Sequence, residues 1–109
     1  MEIYCQTKKM TKVIDSESLI IREFGPKIGK KLMQRISEFR AADNLDQISH
    51  LPPQKLHSLN GKYDGCFAVN VTENFRLVFE AYTADEESTM IKSDATIIVI
   101  KEVVDYHGH

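Results

Sequence analysis

The sequence predicts an α+β fold in which an N-terminal helical pair packs on a small antiparallel β-sheet. In the first part of the chain, apolar residues recur every three or four positions, which is the period of a helix. After Pro53 the segments GCFAVNV, NFRLVFEAY and TIIVIKEVV are rich in β-branched and aromatic residues, which favours strands. The chain has 109 residues and no internal repeat or low-complexity linker, so we expect a single domain over residues 1–109.

The first elements are a short strand and a helical segment. MEIYC has the composition of a strand, and residues 7–24 have mostly helical spacing. Asp15 and Ser16 interrupt this spacing. Because their side chains compete for backbone N–H donors, we expect a break there, with a second segment capped by one of them.

The next helix begins at Gly25-Pro26, where glycine suits the end of one helix and proline the first position of another. Its apolar stripe, at helical spacing, consists of Ile28, Leu32, Ile36 and Phe39. Cations occupy much of the remaining surface: Lys27, Lys30, Lys31, Arg35 and Arg40. We interpret them as a solvated face; the alternative is a surface for RNA phosphates or an acidic partner. Residues 43–50 are expected to add one helical turn.

The strands after Pro53 are expected to form an antiparallel meander. Phe75, Leu77 and Phe79 alternate with more polar positions, which predicts a strand with one apolar face. VTEN is short enough for a hairpin loop, and TIIVI is apolar on both faces, which predicts a central strand. The acidic segment TADEESTMIKSD joins the last two strands and is long enough to be mobile.

Charge and cysteine usage limit the function classes. The net charge of −2 disfavours nucleic-acid binding through a general positive field. Residues 1–42 hold nine Lys/Arg against five Asp/Glu, whereas residues 43–109 hold five against eleven, so a local basic face is possible. Cys5 and Cys66 have no metal or redox spacing, which suits a reducing cytosol. MEIYCQTKKM has no long apolar run, so we expect no signal peptide or membrane span and a cytoplasmic protein.

Three regions of the strand half carry polar residues of chemical interest: His57 before the meander, Arg76 on a strand, and Asp105, Tyr106 and His107 at the end. Taken separately, each has a structural explanation. Arg76 would pair with Glu80 or Glu102, His57 would cap a turn, and Tyr106 would close the edge of the core. His107 and His109 alone are too few ligands for a metal site, and we expect neither metal nor cofactor.

Taken together, these residues suit metal-free RNA cleavage. Attack of a 2′-hydroxyl on the neighbouring phosphate needs one group that takes a proton and one that gives a proton. It also needs a cation to hold the phosphate as charge develops. Histidine and tyrosine move or orient protons, and the forked guanidinium of arginine binds phosphate.

The segment LPPQKLHSLNGKYDGCFAVNVTENFRLVFEA, followed by a strand ending VVDYH, resembles the RelE/ParE superfamily of toxins from bacterial toxin–antitoxin modules. Within that superfamily it is most similar to the HigB branch, the plasmid maintenance system killer proteins. The family's signature is an L-H-x-L-K-G turn, a W-R-I-x-F strand and a terminal D-Y-H, and the corresponding segments of this chain are LHSLNG, FRLVF and DYH. The resemblance implies a ribosome-dependent messenger-RNA endoribonuclease (mRNA interferase). It also implies a helix-turn-helix, HigA-like antitoxin that neutralises the toxin and carries the complex to operator DNA.

By position, the resemblance implies catalytic roles for His57, Arg76, Asp105, Tyr106 and His107. Asn60 stands where the family has a lysine, and the cations nearest to it are Lys55 and Lys62, so these three residues are the candidate RNA contacts. Two alternatives remain open. The chain is an inactive relative that binds its antitoxin and modulates operon repression, or it is a ParE-like inhibitor of DNA gyrase.

Overall fold

The computed structural model of the chain describes residues 1–105. Two helices pack on one face of a five-stranded sheet, so the predicted α+β fold is confirmed. Short 3₁₀ turns lie between several of these elements, one of them within the predicted segment 43–50. The helices and strands are β1 (Glu2–Cys5), α1 (Lys8–Ile14), α2 (Glu17–Ala41), β2 (His57–Ser58), β3 (Phe67–Asn70), β4 (Phe75–Tyr82) and β5 (Ile97–Asp105).

Side-chain caps set where the two helices begin. The hydroxyl of Thr7 accepts a hydrogen bond from the backbone N–H of Met10 at 3.1 Å, at the start of α1. The hydroxyl of Ser16 accepts one from the backbone N–H of Leu19 at 3.3 Å, at the start of α2. Each bond satisfies an N–H of the first turn that has no partner inside the helix. The predicted break at Ser16 is therefore confirmed.

A kink divides α2 where the sequence predicts a stop and a restart. Gly25 has φ 82° and ψ 164°, a conformation that glycine adopts without a steric penalty, and Pro26 follows it. The two segments approach so closely that a Cβ added at Gly29 would lie 3.2 Å from a methyl group of Ile20. Within residues 1–105, no helix combines the length and the apolar character needed to cross a membrane.

The main hydrophobic core lies between α2 and the sheet. Leu32, Ile36 and Phe39 of the predicted stripe are at most 4% exposed, and Leu77 and Phe79 of β4 are fully buried. The rings of Phe39 and Phe79 meet edge to face with centroids 5.1 Å apart. Burial of each such side chain stabilises the fold by about 1.5–3 kcal/mol, so this layer dominates stability.

Arg35 corrects the interpretation of the α2 cations as a solvated face. Only 2% of Arg35 is exposed. Its Nη1 donates to both carboxylate oxygens of Glu38, at 3.1 and 3.2 Å, and its Nε donates to the carbonyl of Asn70 at 2.7 Å. The side-chain amide of Gln54 also donates to Glu38, and the backbone carbonyl of Gln54 accepts from the backbone N–H of Asn70. Glu38 is three residues away on the same helix, but Asn70 lies 35 residues along the chain, so helical spacing alone did not reveal the burial of Arg35.

The sheet is mixed, which corrects the prediction that it is purely antiparallel. Its strand order is β1-β5-β4-β3-β2. The meander pairs are antiparallel as predicted, but β1 lies parallel to β5, in register from Glu2 opposite Ile97 to Cys5 opposite Ile100. Parallel strands need a long connection, and here it contains both helices and three strands. The predicted position of TIIVI inside the sheet is confirmed, since β5 has a neighbour on each side.

The face of the sheet opposite the helices, which we call the open face, carries a second small apolar cluster. It consists of Leu59, Cys66, Ala68 and Val78, all at most 7% exposed. The prediction that β4 has a single apolar face is therefore wrong at Val78. Leu59 and Cys66 belong to the loop between β2 and β3, which covers part of this face.

Candidate functional site on the open face

His57 lies on an edge strand rather than in a turn. It belongs to β2 and pairs with Ala68 of β3. Its Nδ1 lies 2.7 Å from the carbonyl oxygen of Lys55. Because a carbonyl can only accept, Nδ1 must carry the proton, and Nε2 of the neutral ring holds the lone pair. The half-buried imidazole therefore has a defined orientation with Nε2 available as a base.

Arg76 shares the open face with His57. It pairs with Asn70 of β3 and Val104 of β5, and its half-buried side chain has a buried Nε. Residues directly opposite on neighbouring strands share a face, as do residues two apart on one strand. Ala68 lies opposite both His57 and Val78, so His57 and Val78 share a face. Val78 is two positions from Arg76 along β4, so Arg76 shares that face as well. The backbones of His57 and Arg76 are therefore about 12 Å apart, two strands across and two residues along.

A tyrosine–carboxylate pair, absent from the sequence prediction, lies on the same face. Tyr63 packs on the small apolar cluster, and its hydroxyl donates a hydrogen bond to Glu102. Glu102 is opposite Val78, so it continues the cross-strand row that begins at His57. A glutamate within a β-branched run was the only sequence signal for this pair. Its partner lies 39 residues away and cannot be read from local spacing.

The three candidate RNA contacts surround the β2 edge. Lys55 is exposed, with a positive φ of 51°, and its carbonyl orients His57. The Nζ of Lys62 lies 5.0 Å from the centroid of the Tyr63 ring, which keeps a cation on the open face. Asn60 is exposed and precedes the turn of residues 61–63 without capping it through its side chain.

The register separates Asp105 from the other candidates. Asp105 pairs with Phe75, whereas Arg76 pairs with Val104. Since successive residues point to opposite faces, the Cβ of Asp105 starts on the helix-covered face. Tyr106 and His107 lie outside the described residues. The structure thus brings His57 and Arg76 to one face and does not bring Asp105 there.

Residues 1–105 give no support to a metal site or to a cysteine nucleophile. No group of three His, Cys, Asp or Glu side chains there is close enough to hold a metal ion. Burial raises the pKa of the Cys66 thiol, and it also raises the pKa of Cys5. Both cysteines are therefore protonated thiols at neutral pH, which are poor nucleophiles.

Arg35 supports the site from the opposite side of the sheet. It binds the carbonyl of Asn70, and Asn70 is the cross-strand neighbour of Arg76. The Arg35–Glu38–Gln54 network thereby ties α2 to the end of β3 that lies beside Arg76.

No protein-family model matches the chain, and no curated protein is significantly similar to it. The resemblance in residues 51–81 and 103–107 therefore stays a prediction.

Proposed function

We propose that this chain is the toxin of a type II toxin–antitoxin module and cleaves messenger RNA on the ribosome. The observation that carries the proposal is the placement of His57 and Arg76 on the open face, with Nε2 of His57 available as a base. The ordered L-H-x-L, F-R-L-x-F and D-Y-H segments support it as a resemblance. Such an activity would operate in the cytoplasm, where ribosomes are found.

The proposed reaction is transfer of the phosphate to the neighbouring 2′-oxygen. Nε2 of His57 takes the proton of the 2′-hydroxyl as its oxygen bonds to phosphorus. Arg76 binds the non-bridging phosphate oxygens, on which charge accumulates. The bond to the 5′-oxygen breaks, and that oxygen receives a proton from His107, while Tyr106 stacks on or orients the substrate. Lys55, Asn60 and Lys62 contact flanking RNA, and Asp105, whose Cβ starts on the helix-covered face, has no assigned role in this reaction.

The direct test is a purified translation system in which the cleavage positions on ribosome-bound messenger RNA are mapped. We expect the intact protein to cut the message and to arrest growth when expressed. His57→Gln is expected to lower the cleavage rate about 10²–10⁴-fold, the usual contribution of a general base. His50→Gln, which alters an exposed histidine outside the site, is the matched control and should retain full activity. An intact, folded protein that leaves both translation and growth unchanged contradicts the proposal.

Two observations favour a second function, binding of the antitoxin without cleavage. Glu102 places a carboxylate on the open face, and Asn60 replaces a family lysine, so the face has less positive charge than RNA binding favours. Protein that binds its helix-turn-helix antitoxin tightly, modulates operator binding and leaves messenger RNA uncut would establish this function. A DNA-damage response with intact messenger RNA would instead indicate gyrase inhibition.

A further inference from the structure

A groove of about 570 Å³ opens on the sheet far from His57 and Arg76. It is lined by residues of β1, β4 and β5 and by the acidic segment that follows β4. Tyr82 of the groove lies six residues from Arg76 along β4, which corresponds to about 20 Å. The groove therefore does not belong to the candidate RNA site.

Two cross-strand rows run beneath this groove, and all of their residues except Glu80 line it. In the first, Glu2 of β1, Ile97 of β5 and Tyr82 of β4 lie side by side. In the second, the corresponding positions are Tyr4, Val99 and Glu80. Each row thus has an aliphatic residue in the middle with a phenol at one end and a carboxylate at the other. The order is reversed between the rows, so the apolar centre has acids and rings on both sides.

Hydrogen bonds tie each phenol to the carboxylate of its own strand. The Tyr4 hydroxyl donates to Glu2 at 2.9 Å, and the Tyr82 hydroxyl donates to Glu80 at 3.1 Å. The bond to Glu2 raises the pKa of Tyr4, and burial, with the nearby Glu80, raises the pKa of Tyr82. Both phenols therefore remain neutral donors at physiological pH, and each ring is held beside an acid.

The acidic segment after β4 supplies a wall with a third carboxylate. It folds back on β4 through a hydrogen bond from the backbone N–H of Thr89 to the carbonyl of Ala81, at 3.0 Å. The turn at its tip places Glu86 in the groove lining, with the backbone N–H of Glu86 bonded to the carbonyl of Thr83 at 2.9 Å. Glu86 has a φ of 65°, so its position depends on this turn.

We propose that this groove binds a basic segment of a partner protein by taking up an arginine or lysine side chain. The aliphatic floor fits the methylene stem of such a side chain, and the rings of Tyr4 and Tyr82 attract its cation. The carboxylates of Glu2 and Glu86 provide the complementary charge. A nucleic acid carries the wrong sign for this surface. The proposal does not depend on the RNA chemistry of the other site.

The experiment is a titration followed by amide NMR with a defined probe. The probe is a short peptide of alternating glycine and arginine, and its comparison peptide carries citrulline, which is nearly isosteric and uncharged. We expect saturable shifts at the amides of Tyr4, Tyr82 and Glu86 with the arginine peptide, weakening as salt is raised. The citrulline peptide should cause no comparable shifts. Absence of saturable binding, or equal binding of both peptides, overturns the proposal.

Charge-matched variants separate the groove from the overall negative field. We expect Glu2→Gln combined with Glu86→Gln to weaken peptide binding about tenfold, about threefold for each exposed ion pair lost. The control, Glu73→Gln combined with Glu87→Gln, changes the net charge equally at exposed glutamates outside the groove and should leave affinity within about twofold. Equal weakening by both double variants overturns the proposal.

A variant pair at Tyr4 tests the role of the ring. Tyr4→Phe keeps the ring and frees the Glu2 carboxylate from its hydroxyl partner, so binding should be retained or strengthened. Tyr4→Leu removes the ring from a residue that is 53% exposed and should weaken binding about two- to fivefold without unfolding the protein. Equal affinities of the phenylalanine and leucine variants contradict the role assigned to the ring.

Discussion

The two faces of the sheet are built from alternate residues of the same strands, yet they differ in almost every physical property. On the helix-covered face, Leu77 and Phe79 pack against α2 in one continuous core. On the open face, the small cluster around Val78 is bordered by polar and charged side chains. Arg76 and Glu102 lie on that side, beside the pairs that carry a phenol and a carboxylate. Apolar burial, and therefore most of the stability, is concentrated on the helix-covered face. Packing consequently constrains the polar residues of the open face less strongly.

The largest expected effect comes from truncating one fully buried side chain on each face to alanine. Phe79→Ala removes a fully buried ring that contacts Phe39 and Phe67, and should lower the free energy of unfolding by about 3–5 kcal/mol. Val78→Ala, at the adjacent and equally buried position, should cost only about 2 kcal/mol. Urea unfolding followed by circular dichroism measures both. Equal losses would mean that the open-face cluster is as important to stability as the main core.

The ion pair between buried Arg35 and partly buried Glu38 gives the next largest effect. Arg35→Ala leaves the Glu38 carboxylate and the Asn70 carbonyl without their charged donor, so we expect a loss of about 3 kcal/mol. Lys31→Ala, one turn earlier at an exposed position, is the control and should change stability by less than about 0.5 kcal/mol. Adding Glu38→Leu to an Arg35→Met variant should recover part of the loss, since no charge is then left unpaired. A loss no greater than that of the control would show that the pair contributes little.

On the open face the comparison is between a half-buried and an exposed phenol. Tyr63→Phe keeps the ring contacts and removes the bond to Glu102, which should cost about 1 kcal/mol. Tyr4→Phe removes the same kind of bond at an exposed site and should leave stability unchanged. Thermal unfolding of the two variants beside the parent checks the difference. Similar behaviour of the two variants would mean that Glu102 is as well hydrated as Glu2.

The smallest effect concerns the thiols, one against each face. Because burial raises the pKa of Cys66 and of Cys5, alkylation by iodoacetamide at neutral pH should be slow and should accelerate as pH rises. Cys5, half-buried, should react before Cys66, which is 2% exposed. The raised pKa values favour the folded state below the ordinary thiol range, and this contribution is lost as pH rises through the folded values. Mass spectrometry with and without urea measures the extent of alkylation at each cysteine. Rapid labelling of Cys66 in the folded protein would contradict its burial.

Most secondary structure was predictable because it depends on local periodicity and caps. The helical stripe, the break at Ser16, the kink at Gly25 and the strands β3, β4 and β5 all follow from neighbours within about four residues. His57 and Arg76 were predictable as candidates from residue type and order. Spacing alone could not show that His57 and Arg76 share a face or that Asp105 starts on the opposite face. It also could not show that Tyr63 and Glu102 form a pair on the open face. Each of these depends on strand register.

By itself the sequence determined the α+β class, the break at Ser16, the kink at Gly25 and the residue types from which any site must be built. Only the tertiary structure decided that β1 pairs parallel to β5, that Arg35 is buried, and that Glu2, Ile97 and Tyr82 form one row of a groove. The physical reason is the range of the forces. Helix and strand formation depend on bonds and side chains a few residues apart, whereas a groove depends on register between segments some 80 to 95 residues apart in the chain.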